Sequence, residues 1–295
     1  HLDGKTRSIR NSIFRDAPGP KGTFTRVTAF EPNGKRDIDS LSAGITHVAE
    51  TGALTHNLYV GAAYYTEQLS LPQLRVPPEN NPPINVFDPV FGQTTRPTGP
   101  LVRSLTMQDS ETRMLSIQDR IEMGRFGLTA GLQYVEDESV YGAEGTLPVK
   151  ESRVSPRLAL TFEASPNQTL YASYTEGTSP QYVATASNRS VPMRLSEQVE
   201  AGWKAQLLDG RLRADLAIYR LDQSRTLTPD PAQFGRFFVN GSARSQGVEA
   251  SLSGDVSDRL TVGLAYAYTD AEYGDDSLFP GSRPPNVPYN SGNAF

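Results

Sequence analysis

From Ser196 to Tyr268 apolar and polar residues alternate almost without a break. Val199, Ala201, Trp203, Ala205 and Leu207 fall on one parity, and Gln198, Glu200, Gly202, Lys204 and Gln206 on the other. After Leu208-Asp209-Gly210 the pattern resumes, with Leu212, Ala214, Leu216 and Ile218 set against Arg211, Arg213 and Asp215. It returns at Val248, Ala250 and Leu252, and again at Leu260, Val262, Leu264, Tyr266 and Tyr268. A period of two gives a strand one face in an apolar medium and the other in water. The nature of that apolar medium decides the fold.

The pattern predicts strands near 5–15, 22–30, 39–49, 54–66, 105–123, 126–137, 153–163, 168–177, 194–207, 211–223, 244–254 and 259–272, with a further one beginning at 287. Short connections recur at Ala17-Pro18-Gly19-Pro20, Thr51-Gly52-Ala53, Gly124-Arg125, Ser165-Pro166-Asn167, Asp209-Gly210 and Asp255-Val256-Ser257-Asp258. Long ones at 67–104, 138–152, 178–193, 224–243 and 273–286 carry the Pro, Gly, Asn and Ser of loops, and 31–38 is a moderately long exception. Short turns on one rim and long loops on the other mark a membrane barrel, whereas a soluble sandwich has no reason to sort its loops. Several strands run for roughly 10–14 residues, nearer the ~9–11 of a tilted bilayer crossing than the ~5–6 of soluble sheets. Tyr134, Phe162, Tyr174, Tyr219, Tyr266 and Tyr268, toward strand ends, suit interfacial girdles.

Composition agrees. The chain is 37% hydrophobic with a mean hydropathy of -0.45, and no run of about 18 apolar residues could form a membrane helix. A barrel needs only every second residue apolar. A net charge of -5 argues against nucleic acid as a partner. Without cysteine there is no disulfide, thiolate metal site or cysteine nucleophile. Starting at His1 without a signal-peptide pattern, the chain reads as an internal piece of a longer protein.

Residues 196–204, Ser-Glu-Gln-Val-Glu-Ala-Gly-Trp-Lys, resemble the SEQ-x-E-x-G-x-K strand of TonB-dependent outer-membrane receptors, the ferric-siderophore branch in particular. Asp209-Gly210-Arg211-Leu212, the strand 217–222, the opening Arg244-Ser245-Gln246-Gly247-Val248-Glu249, and the segments 171–177 and 265–270 fit the same family in order and spacing. The matching motif positions are Glu197, Glu200, Gly202, Lys204, Gly247 and Glu249. The resemblance implies an all-β, transmembrane antiparallel barrel, of which this chain supplies about 12–13 strands of a probable 22. It implies one barrel domain over 1–295, with the plug, the TonB box and the closing strands lying outside it. The implied setting is a Gram-negative outer membrane, in contact with lipid and lipopolysaccharide. The implied partners are a ferric siderophore as ligand and the TonB-ExbB-ExbD complex, coupled through the N-terminal region.

For such a ligand, anionic or rich in oxygen, arginine forks and aromatic faces are suitable contacts. The candidates in outer loops and lumen are Phe87, Phe91, Tyr141, Tyr182, Arg189, Arg225, Phe234, Arg236 and Phe237, with Arg153, Arg157, Arg194, Arg244 and Phe238 nearby. The bland alternative is that such arginines meet lipopolysaccharide phosphates or pair with loop acids. His47 and His56 flank the Thr51-Gly52-Ala53-Leu54 turn, and a symmetric hairpin would set them opposite each other, but only Glu50 stands by as a third ligand. Strand acids such as Glu197, Glu200, Asp215 and Glu249 are expected to face lumenal water, and Asp230 to be a solvated loop charge. No nucleophile elbow, phosphate loop or paired-carboxylate motif occurs, so no catalytic residue, metal site or cofactor is expected. Receptors for cobalamin, haem or glycans share this barrel, and a passive porin or a soluble lectin-like sandwich are the readings from other classes.

Overall fold

The computed structural model describes residues 2–19, 23–75, 84–85, 87–88, 102–183, 185, 189–229, 237–277 and 279–294. Its strands are β1 (Leu2–Gly19), β2 (Thr23–Thr51), β3 (Leu54–Arg75), β4 (Ile84–Asn85), β5 (Val102–Met123), β6 (Phe126–Gly142) and β7 (Val149–Ser165). They continue as β8 (Gln168–Ser179), β9 (Arg194–Leu207), β10 (Leu212–Pro229), β11 (Phe237–Ser257), β12 (Leu260–Tyr273) and β13 (Asn290–Ala294). All 13 belong to one sheet in which neighbours in sequence pair antiparallel; β4 alone leaves the path, pairing with the start of β2.

Two expected strands, 22–30 and 39–49, are a single one. Residues 31–38 are not a connection but part of β2, and the β1 ladder runs through them, with Thr6 opposite Gly34 and Ser8 opposite Glu31 across an irregularity. The β1–β2 hairpin therefore closes after Gly19 on the rim of the long loops, opposite the rim where the 52–53 turn lies. Several other strands run past their expected ends: β3 reaches Arg75, β6 Gly142 and β10 Pro229.

The register sorts the strands from 41 onward into an outward and an inward face. Leu216 pairs with Trp203 and Ala250, and Leu158 with Ala130 and Tyr174, so the outward rows are apolar across neighbouring strands. Ile45 is 75% exposed, Ile218 57%, Val199 56% and Leu158 46%, with no protein group covering them. This apolar belt occupies 41–51, 54–64, 115–123, 126–134, 154–162, 199–207, 212–218 and 260–268. Some nine residues per strand, at ~3.3 Å rise and ~40° tilt, give a band about 23 Å high, the height of an outer-membrane hydrocarbon layer.

Tyr134 and Tyr174 cap the belt from outside, donating to Glu136 (3.2 Å) and Glu176 (2.6 Å) one step higher on the same face. Phe162 packs on Phe126 at 4.9 Å between ring centroids near the inner rim. Tyr219 is no girdle residue. Its parity turns it inward, where its hydroxyl meets Thr269 Oγ1 at 3.2 Å. Glu197 is likewise not lumenal: it pairs with Glu176 and Asp222 on the outward face, above the belt.

Inward tyrosines lie flat along the wall, over glycines of the next strand. A Cβ on Gly202 would come within 2.6 Å of the Tyr171 ring and of the Leu216 carbonyl; one on Gly247 would come within 2.1 Å of the Tyr268 carbonyl and 3.1 Å of Tyr219. The two motif glycines make room for these rings. Gly202→Leu is accordingly expected to destabilise the barrel by about 1–3 kcal/mol through overpacking. A urea titration of the refolded receptor with the midpoint unmoved would refute it.

The histidines are not opposite each other. The two-residue turn pairs Thr51 with Leu54, so His47 faces Leu58 and His56 faces Ala49. His56 Nδ1 instead meets Asp119 Oδ2 at 2.7 Å, on the outward face of β5.

Candidate functional site

Above the belt the inward faces of β3, β5, β6 and β7 form a polar wall. Buried on it are Glu67, Gln108, Ser110, Thr112, Asp137, Ser139 and Ser155. Arg36 Nε donates to Glu67 Oε1 (2.8 Å) and the Tyr65 hydroxyl to Glu67 Oε2 (2.7 Å). Asp137, 3% exposed, accepts from Thr112 Oγ1 (2.7 Å) and Ser139 Oγ (3.0 Å). Burial pushes its carboxyl above the usual range, the nearby Glu151 charge adds to that, and the two hydroxyl donors work against it.

Residues 189–193, which lead into β9, pack against this wall. Val191 and Met193, 2% and 1% exposed, are the most buried apolar side chains among the described residues. Five hydrogen bonds order the segment and pin it down. The Tyr141 amide donates to Ser190 Oγ (3.0 Å), and the Ser190 amide to the Leu147 carbonyl (3.0 Å). Gln181 Nε2 reaches the carbonyls of Pro192 (2.9 Å) and Arg225 (3.0 Å). The Met193 amide donates to Glu151 Oε2 (3.1 Å). Isolated bridges join Leu147 to Arg189 and Thr185 to Phe237.

Glu151 is the centre of the latch. Its Oε1 receives Arg225 Nη1 at 2.6 Å and Arg153 Nε at 3.1 Å, and Arg225 also donates to the Met193 carbonyl (3.4 Å). Burial alone would raise the Glu151 carboxyl, but the bonds from Arg225, Met193 and Arg153 together outweigh it and hold the group below the usual range. Arg225 reaches across from β10 because it sits at a bulge with φ 58°.

The candidates drawn from the sequence divide accordingly. Tyr141, Tyr182, Arg189, Arg225 and Phe237 gather at one outer vestibule around the 180–193 connection. Tyr182 is half-buried against Ser110 and Thr112, and burial raises its hydroxyl pKa. Arg225 is committed to Glu151. Phe87 stands apart, 82% exposed beside β4. Phe91, Phe234 and Arg236 lie outside the described residues. Apart from Glu197, the motif residues sit lower on the wall, where Glu200 accepts from Tyr171 (2.6 Å) and Gln198 (2.9 Å), and Lys204 Nζ lies 5.2 Å from the centre of the Tyr171 ring. Missed in the sequence were Glu67, Asp137 and Glu151. Their signal was parity alone: each continues the inward row of a strand beyond its apolar stretch.

A second roof comes from 274–289. Arg283 donates to the carbonyls of Val287 (2.6 Å) and Thr269 (2.5 Å), and its guanidinium lies 3.5 Å from the centre of the Tyr289 ring. Gly274 and Ser277 tie the same connection to the Ser242 carbonyl at 2.9 and 2.8 Å.

Comparison with known proteins accords with this architecture. Residues 5–295 match the family model described as TonB dependent receptor-like, beta-barrel. The metal-pseudopaline receptor CntO of Pseudomonas aeruginosa is 31% identical over 306 residues, 99% of this chain and 42% of the relative. The ferrichrome outer membrane transporter/phage receptor of Escherichia coli K12 is 25% identical, over 92% of this chain and 37% of its own length. Among solved structures, BauA, the ferric preacinetobactin receptor of Acinetobacter baumannii, superimposes with a TM-score of 0.73 at 23% identity, over 93% of this chain and 42% of that one. The siderophore receptor PiuA from the same species gives 0.73 at 20% identity, over 99% and 48%. The chain thus spans less than half the length of these relatives. With its outward apolar belt, wet inner wall and sorted loops, it belongs to the β-barrel family of TonB-dependent receptors, proteins of the Gram-negative outer membrane.

Proposed function

We propose that the whole protein takes up a ferric siderophore by TonB-dependent active transport, and that this chain supplies barrel wall and outer loops. The observation that carries the reading is the family match over residues 5–295. Relatives named as receptors for ferrichrome and ferrioxamine B support the ligand class. On this reading the vestibule above the belt first meets the ligand. A plug encoded upstream of His1 completes the site and responds to the TonB-ExbB-ExbD complex. The ligand passes intact, with no bond made or broken.

A metal–pseudopaline complex is the second reading, favoured by the 31% identity to a receptor of that name. Deleting the gene and measuring uptake of radiolabelled iron on a panel of ferric siderophores, with metal-loaded pseudopaline alongside, tests both. Uptake of one ferric siderophore is expected to fall to background and to return with the intact gene. Loss of metal–pseudopaline uptake alone would favour the second reading. Unchanged uptake across the panel would sink both.

A further inference from the structure

We infer that Arg194 is the carboxylate-reading group of the vestibule, in a subsite walled by β9 to β12 and roofed by the 274–289 connection. The inference rests on the uptake reading above and adds a chemical class of ligand, a metallophore bearing a free carboxylate.

Most other cations on the upper wall are already engaged. Arg36 is paired with Glu67, and Arg153 and Arg225 share Glu151. Arg244 is paired with Asp222 at 2.8 Å. Arg283 is spent on two carbonyls and the Tyr289 ring. Arg157 leans toward Gln118 (3.4 Å), and the Arg189 side chain stands in solvent. Arg194 differs from all of these: it is half-buried, lines a half-open cavity, and has no hydrogen-bond or ion-pair partner among the described residues.

Its cavity measures about 320 Å³. That lies at the small end of ligand pockets, the size of one arm of a chelator rather than a whole complex. Gln223 and Tyr273 bring neutral polar groups to it, while Leu221, Leu227 and Val287 cover carbon. A half-buried guanidinium without a counter-charge is only partly hydrated, and it presents two parallel N–H donors that match the two oxygens of a carboxylate. Metal-bound oxygens have already given much of their charge to the metal. A carboxylate outside the coordination shell is therefore the complementary group.

The test uses the full-length receptor and matched probes. These are iron-loaded trishydroxamate, bis-catecholate and aminocarboxylate chelators, each carrying a non-coordinating carboxylate or its primary amide. Wild type is expected to bind the carboxylate form of one pair more tightly than the amide. Arg194→Gln should weaken that form by about 10–100-fold and leave the amide within about threefold, as expected for loss of a charged hydrogen bond. Arg194→Lys should restore part of the difference, and the heat-modifiable electrophoretic mobility of each variant reports that the barrel has folded. Equal affinity of wild type for acid and amide, or an equal loss of both in Arg194→Gln, would overturn the inference and leave the uptake reading standing. Failure of wild type to bind any probe would count against the uptake reading itself.

Discussion

Exchanging two adjacent residues, in the double variant Arg157→Leu and Leu158→Arg, is expected to destabilise the folded barrel by about 2–4 kcal/mol without changing its composition. Leu158 stands outward in the middle of the 154–162 segment, beside Ala130 and Tyr174, and Arg157 stands inward beside Gly131 and Thr175. The exchange places a guanidinium at mid-depth in hydrocarbon, where nothing replaces its hydration. Arg157→Leu alone loses only a 3.4 Å contact to Gln118 on the wet side and should cost under about 1 kcal/mol. Reversible urea unfolding of the whole receptor in phospholipid vesicles, followed by heat-modifiable mobility, separates the two. Matching stabilities for the exchange and the single variant would mean that the outward face does not meet lipid.

The second large effect is expected at Glu151. Glu151→Ala removes the acceptor shared by Arg225, Arg153 and the Met193 amide, and leaves a guanidinium only 30% exposed without its closest counter-charge. Loss of one partner of a half-buried pair of this kind costs about 2–4 kcal/mol, with solvent screening favouring the lower end. The cost should be local, because the residues that lose contacts are Met193, Arg225 and those around them. At about 2 kcal/mol, opening of the 180–193 connection becomes roughly 30-fold more frequent. Hydrogen exchange of the Met193 amide and proteolysis within 180–193 should both speed up, with the belt strands unaffected. Unchanged exchange at Met193 would remove Glu151 as the latch.

Because the folded state holds the Glu151 carboxyl below its ordinary value of 4.5, the latch contributes fully above that pH and is lost as pH falls through the depressed value.

Much of the wall was legible because lipid writes a periodic constraint into sequence. Wherever a strand crosses the hydrocarbon, every second residue must be apolar, so 199–207, 212–218 and 260–268 announced themselves. Above the belt both faces meet water or polar loops and the constraint ends, although the backbone ladder goes on. That is why 31–38 has the composition of a loop but is strand, and why β3, β6 and β10 continue past the end of their alternation. The histidines were misaligned for a related reason: residue spacing gives a hairpin, but the turn decides which residues face each other.

Sequence by itself determined the alternation, the sorting of turns from loops beyond β2, and the motif that marks the family, since each rests on local chemistry or on the solvent that a strand crosses. The tertiary structure decided which charges remain available. Arg225 and Arg194 look alike in sequence, yet one is neutralised by Glu151, 74 positions away, and the other faces a cavity with no partner among the described residues. Pairing between strands three apart in the sheet depends on how the curved wall and its connections bring them together, and no local pattern encodes that distance.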